Sequence, residues 1–228
     1  MLDSLLQVRY NDKRKILVDF SGFGHLFATQ LSCDSRVAFL LPVSRKYWQN
    51  GGLYLYGKNF LSLIKTRRSV RAYKSEPVPS KALDAVLEAG TYAPTGGGHQ
   101  SPTIIAITDP KYRREIAKLN AEVMGSNTDP YYGAPVVILV LADGSASTFV
   151  EDGSCVLENM MLAAHALGLG TVWVHREREI FDSESGKALL REWKLPETLR
   201  GVGAVALGYP AREASQPAAR KQNYIVRI

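Results

Sequence analysis

The sequence predicts an α+β domain built on one central sheet, and three observations carry that expectation. Pro135–Leu141 is a nearly continuous apolar run, as expected for a strand covered on both faces. Phe149–Leu167 has the length of a long helix, and its apolar positions Val156, Leu157, Met160, Met161, Ala163, Ala164 and Leu167 cover more than one face. A helix apolar most of the way round is buried on most sides, at the centre of its own domain or against a partner subunit. Strand-like and helix-like segments precede and follow these two from residue 59 onward.

In order along the chain, Asn59–Lys65 places Phe60, Leu61, Leu63 and Ile64 at helical spacing. Ser80 is a good N-cap for a helix through Glu88, with Leu83, Val86 and Leu87 on one face and Gly90 as its stop. Thr103–Thr108 is a β-branched strand, after which Asp109-Pro110 opens a helix to about Met124. Gly168 ends the long helix. Thr171–Val174 and Gly201–Leu207 read as strands separated by a helix around Lys187–Trp193, and Tyr224–Ile228 alternates enough for a terminal strand.

The first 54 residues differ in kind. They contain no Glu, their apolar runs are short, and periodicity is weak. Two expectations stand for residues 1–54: a poorly ordered N-terminal extension, or a mis-annotated start, with translation beginning near Leu55. The second draws on Gly51-Gly52, which a purine-rich stretch resembling a ribosome-binding site can encode.

The formal charge of +6 divides into +3 on residues 1–54 (seven Lys/Arg against four Asp) and +3 on residues 55–228. Nucleic-acid binders concentrate charge on one face. Here the concentrations are two short ones, Lys65–Arg71 and Arg220–Lys221, which suit a small phosphorylated ligand better than a duplex. No stretch approaches the ~20 apolar residues of a membrane-spanning helix. Cys33 and Cys155 are too few for a disulfide framework or a structural zinc site, so a reducing cytoplasm is the default expectation.

Four segments carry chemistry. Arg67-Arg68-Ser69-Val70-Arg71 offers three guanidinium groups and a hydroxyl, which can bind a phosphate dianion or form a solvated basic loop. Ala93-Pro94-Thr95-Gly96-Gly97-Gly98-His99-Gln100 spends three consecutive glycines, either on close approach to a ligand and positive φ or on a flexible turn. Gly168-Leu169-Gly170 leads into a strand ending in His175-Arg176, where a ligand or a structural hydrogen bond would equally explain the polar pair. His165, on the apolar helix, reads as a core or interface residue. Arg220-Lys221-Gln222-Asn223-Tyr224 is a second basic spot that alone would be a solvated tail. Zinc spacing, a nucleophile elbow and a Walker loop are missing. Gly201-Val202-Gly203-Ala204-Val205-Ala206 opens a strand instead of a strand–helix turn, so it is no dinucleotide fingerprint.

In order and spacing these segments resemble the nitroreductase family. Its Arg-Arg-Ser-Val-Arg-x-Tyr/Phe signature corresponds to Arg67–Tyr73, and its Ala-Pro-Ser/Thr-Gly-x-Asn-x-Gln to Ala93–Gln100. The long helix, Gly168–Gly170, the strand end Leu207–Tyr209 and a basic C-terminal tail follow, so the resemblance covers about residues 56–228. It implies a nitroreductase-like fold over residues 55–228: a central mixed, mainly antiparallel sheet flanked by helices, in an intertwined homodimer with FMN at the interface. Arg67, Arg68, Ser69 and Arg71 would hold phosphate, ribityl chain and pyrimidine edge, with Arg220 and Lys221 closing on the phosphate. Pro94, Thr95, Gly96 and Gln100 belong to the loop that reaches the flavin of the partner, and His175 and Arg176 offer backbone N–H groups near N5. The activity implied is two-step transfer from NADH or NADPH to a small electron-poor acceptor of nitroaromatic or quinone type, with no side-chain acid or base required. Two departures touch the cofactor-facing loop. Gly98 replaces the usual Asn, and Ser101-Pro102 replaces the usual Pro-Trp. The alternatives are a specialised flavin reaction such as dehalogenation, a flavin-binding redox sensor without turnover, and a basic nucleic-acid-binding module.

Overall fold

The computed structural model describes residues 60–213 and 215–228, together with the backbone of two strands nearer the N-terminus. The chain divides into two compact units, Met1–Leu53 and Tyr54–Ile228. In the first, β1 (Gln7–Asn11) pairs antiparallel with β2 (Lys15–Asp19). The expectations placed on the rest of residues 1–54 lie outside the described residues.

In the second unit α1 covers residues 60–66. Then follow α2 (Ser80–Thr91), β3 (Pro102–Ile107), α3 (Pro110–Met124), β4 (Val136–Asp143), α4 (Phe149–Ala166), β5 (Gly170–Val174), α5 (Glu177–Asp182), α6 (Glu184–Glu192) and β6 (Leu199–Gly208). The four strands β3–β6 form one sheet in the order β3-β4-β6-β5, every neighbouring pair antiparallel. The parallel contact described is a single bridge, Ser69 to Thr171, on the outer edge of β5.

Strand β4 explains the layering. Its residues alternate between two apolar clusters, as the two-residue period of a strand requires. Val137, Leu139 and Leu141 face Ile116 of α3, Ile180 and Phe181 of α5, and Leu189 and Leu190 of α6. Val136, Ile138, Val140 and Ala142 face Val86 of α2 and Val156, Leu157, Met160 and Met161 of α4. Helices therefore cover both faces of an antiparallel sheet. Among the described residues no helix is long and apolar enough to cross a membrane.

Local chemistry accounts for several boundaries. Asp109 caps α3 by accepting the Lys111 N–H at 2.7 Å, with Pro110 at the first helical position. Gly90, expected as a terminator, lies inside α2 and is buried. A Cβ there would stand 2.9 Å from both Ile104 Cδ1 and Met160 Cγ, so the residue serves the close packing of α2 on α4. The strand expected at Tyr224–Ile228 is not formed, and the segment is exposed. A strand needs a free edge to pair with. The outer edge of β5 already carries Ser69, and the tail does not pair with the outer edge of β3.

Candidate functional site

The Arg-rich segment follows α1 directly and docks on the edge of the sheet. The Val70 N–H donates to the Thr171 carbonyl at 2.8 Å, beside the Ser69–Thr171 bridge. Gly170 permits this approach, since a Cβ on it would lie 2.7 Å from Val70 Cγ2. The Tyr73 hydroxyl donates to the carbonyls of Val70 (2.7 Å) and Ala206 (3.0 Å), fastening the segment to β6, and burial raises its pKa. The motifs at 67–71 and 168–170 are thus two sides of one contact. The sequence presented them as separate.

Arg67 and Arg68 are half-buried; Ser69 and Arg71 are exposed. Arg68 Nη1 donates to the carbonyls of Lys65 (2.9 Å) and Arg67 (2.6 Å). Arg67 Nη1 and Arg68 Nε, in contrast, are buried with no acceptor in the protein. A buried guanidinium N–H without an acceptor is expensive, and an anion held against these two atoms would remove the penalty. At the C-terminal end of α4, His165 Nε2 lies 3.0 Å from Thr66 Oγ1. Burial, then the charges of Arg67 and Arg68, lower the His165 pKa, so the ring stays neutral beside the arginines.

The glycine-rich loop is held from the opposite end of α4. Gly97 and Gly98 adopt φ of +60° and +71°, which side-chain-bearing residues rarely occupy. Gln100 takes a similar φ of +51°, and its N–H donates to Thr95 Oγ1 at 3.0 Å. The anchor is Asp152, which sequence reasoning missed. Its Oδ1 accepts the Gly96 N–H at 2.9 Å, and its Oδ2 accepts the hydroxyls of Ser101 (3.0 Å) and Thr148 (3.2 Å). The Gly96 N–H, with help from the two hydroxyls and against the cost of burial, holds the Asp152 pKa below the usual carboxylate range. A signal was available: Asp152 stands four residues before Val156 on the buried stripe of α4, where an acid needs partners. Ser101, one of the departures from the family pattern, is itself part of this anchor.

At the far end of β5, His175 is exposed and Arg176 half-buried with φ of +88°. Arg176 Nε donates to Asn120 Oδ1 at 2.9 Å. Arg220 and Lys221 lie on the exposed tail, where Arg220 donates to the Ala218 carbonyl and Lys221 Nζ stands 5.0 Å from the centre of the Tyr224 ring. The tail leaves the sheet beside the Arg-rich segment, through Ala211 N–H to Ala72 carbonyl at 2.9 Å. Pro94 is exposed, and Thr95 is half-buried. Among the described residues no group of acidic, His or Cys side chains could hold a metal ion.

One chain therefore brings together Arg67–Arg71, Thr171 and His165, and separately Thr95–Ser101 with Asp152. It does not join the two groups. Asp152 and His165 are thirteen positions apart on α4, which is roughly 20 Å along the helix at the standard rise.

The sequence profile of the Nitroreductase family matches residues 64–209. This chain belongs to the nitroreductase family. A protein of Archaeoglobus fulgidus, named provisionally as an NADH dehydrogenase/NAD(P)H nitroreductase, is 31% identical over 159 residues, 67% of this chain and 86% of that protein. An FMN reductase [NAD(P)H] of Bacillus subtilis is 28% identical over 178 residues, 68% of this chain and 67% of that one. The crystal structure of a nitroreductase with bound FMN from Bacteroides fragilis superposes with a TM-score of 0.69 at 30% identity, covering 74% of this chain and 98% of that one.

Proposed function

We propose that this nitroreductase-family chain is an NAD(P)H-dependent, FMN-using oxidoreductase, active as a homodimer, that reduces an electron-poor small molecule of nitroaromatic or quinone type. One observation carries the reading. The Arg-rich cluster and the glycine-rich loop lie at opposite ends of α4, so a single flavin touched by both is shared between two copies. In a two-fold dimer each copy gives its arginines to one site and its loop to the other. The exposed apolar side chains of Phe60, Leu61 and Ile64 on α1, of Leu167 after α4, and of Ile225 and Val226 in the tail provide surface for such an interface.

The residues fit the cofactor. Arg67 and Arg68, each with a buried N–H lacking an acceptor, would hold the phosphate, with Ser69 and Arg71 beside them and Arg220 and Lys221 closing over it. When bound, FMN supplies the electron relay between a nicotinamide hydride and the acceptor. The protein's part is to bind and orient. The β5–α5 corner at His175–Arg176 presents backbone N–H groups, and Pro94, Thr95, Gly96 and Gln100 of a second copy line the other side. Donor and acceptor use the same opening in turn, which gives ping-pong kinetics.

Purified protein is expected to be yellow, with FMN as the flavin released on heating. Arg67→Ala is expected to weaken FMN binding by roughly 1.5–3 kcal/mol, the contribution of one charge-assisted hydrogen bond. Unchanged affinity in a fluorescence titration would remove Arg67 from the phosphate site.

A further inference from the structure

The corner at the end of β5 holds a side-chain-bearing residue, Arg176, in the left-handed region, and the reason lies in what its side chain meets. A guanidinium only donates hydrogen bonds, so its 2.9 Å contact fixes Asn120 with Oδ1 toward Arg176 and Nδ2 turned the other way. Asn120 Nδ2 then reaches the His175 carbonyl at 3.0 Å and Glu177 Oε1 at 3.1 Å. The Tyr131 hydroxyl donates to the same Oε1 at 2.9 Å. Asn120, Tyr131 and Glu177 are each 0% exposed.

Both donors serve one carboxylate oxygen. The other, Oε2, is buried with no partner. An ionised carboxylate would leave that oxygen uncompensated, whereas a neutral acid places its proton there. Burial raises the Glu177 pKa to about 8, against the lowering effect of Tyr131, its own backbone N–H, Arg176 and Asn120. The charged groups around it are few. Arg176 adjoins it on its own element. On α3, Arg113 sits 5.3 Å from the Tyr131 ring centre and is paired with Asp129 at 2.6 Å. Burial and then Glu177 raise the Tyr131 pKa, so that hydroxyl stays neutral. From β6 and α6, Arg200 and Lys187 act on Asp182.

We propose that Asn120, Tyr131 and Glu177 form a positioning network that clamps Arg176, holds the β5–α5 corner against the flavin, and makes the ease of flavin reduction depend on whether Glu177 carries its proton. This rests on the FMN reading above. Glu177 is a positioning residue and does not touch the substrate. Negative charge gathers on the flavin when it is reduced. A neutral Glu177 tolerates that charge, and an ionised one opposes it.

The test is the midpoint potential of FMN bound to the full-length protein, measured from neutral to alkaline pH, with FMN affinity measured alongside. In the wild type the potential should fall more steeply with pH as Glu177 loses its proton near pH 8. Glu177→Gln, which keeps the acceptor oxygen but cannot ionise, should lose that extra slope and hold the higher potential at alkaline pH. Tyr131→Phe removes a hydrogen bond that lowers the Glu177 pKa, so it should move the steep region to higher pH. Should Glu177→Gln fail to fold, the Tyr131→Phe displacement decides alone. A purely structural role would change thermal stability and leave all three curves parallel. Parallel curves with normal FMN affinity overturn the proposal and leave the flavin reading intact. A wild-type protein that takes up no FMN overturns both.

Discussion

Asp152 stands in the first turn of α4 on one face of the sheet, and Glu177 in the first turn of α5 on the other. Both are buried carboxylates, 4% and 0% exposed. Asp152 receives three donors spread over both oxygens, and its pKa falls. Glu177 receives two donors on one oxygen and none on the other, and its pKa rises to about 8. Burial opposes the charge in both. At Glu177 burial is the largest influence and outweighs its donors, whereas at Asp152 the Gly96 N–H outweighs burial. The ionised carboxylate organises a loop, and the neutral one completes a buried network.

The larger expected effect comes from breaking the ionised site. Asp152→Ala leaves the Gly96 N–H and the Ser101 and Thr148 hydroxyls without their acceptor, and should cost about 2–4 kcal/mol in urea unfolding. FMN retention should fall with it, because the loop loses its tether. A loss well under ~1 kcal/mol would mean that water replaces the carboxylate and that the loop is not held from α4.

The smaller effect comes from the neutral site and has a definite sign. The folded chain binds the Glu177 proton more tightly than the unfolded chain, in which a glutamate titrates near 4.5. Stability from this group is therefore complete below that value. It declines as pH rises toward about 8 and is fully lost above it. The decline should amount to a few kcal/mol at most, and Glu177→Gln should abolish it in unfolding curves taken near pH 5 and near pH 9. A wild-type curve as flat as that of the variant would show Glu177 to be ionised throughout, and the contrast with Asp152 would disappear.

These two residues also mark how far the sequence could be read. Strand β4, the Asp109-Pro110 start of α3 and the helix at Phe149 were legible, because periodicity and capping are local. The Arg67–Tyr73 signature was legible from residue type and spacing. Its docking through Gly170 was not, because that glycine and Val70 stand a hundred positions apart and no local pattern pairs them. Gly90 looked like a stop, and only the packing of α2 on α4 gives it another role. Asp152 left a trace, an acid on an apolar stripe. Glu177 left none. At the start of a short helix an acid is ordinary, and its burial depends on Asn120 and Tyr131, more than forty residues away. The alternation at Tyr224–Ile228 promised a strand, but alternation alone supplies no partner, and the tail pairs with neither edge of the sheet.

The central claim is that each flavin site is assembled from two copies, and subunit mixing tests it most directly. Copies carrying Arg67→Ala with Arg68→Ala should bind FMN poorly by themselves, as should copies carrying Asp152→Ala. Co-expressed, they form mixed dimers in which the two lesions fall in one site and leave the other intact. About a quarter of the sites should then recover, for random two-fold pairing. FMN occupancy that stays at the average of the two separate variants would show that arginines and loop serve different sites, and would contradict the account.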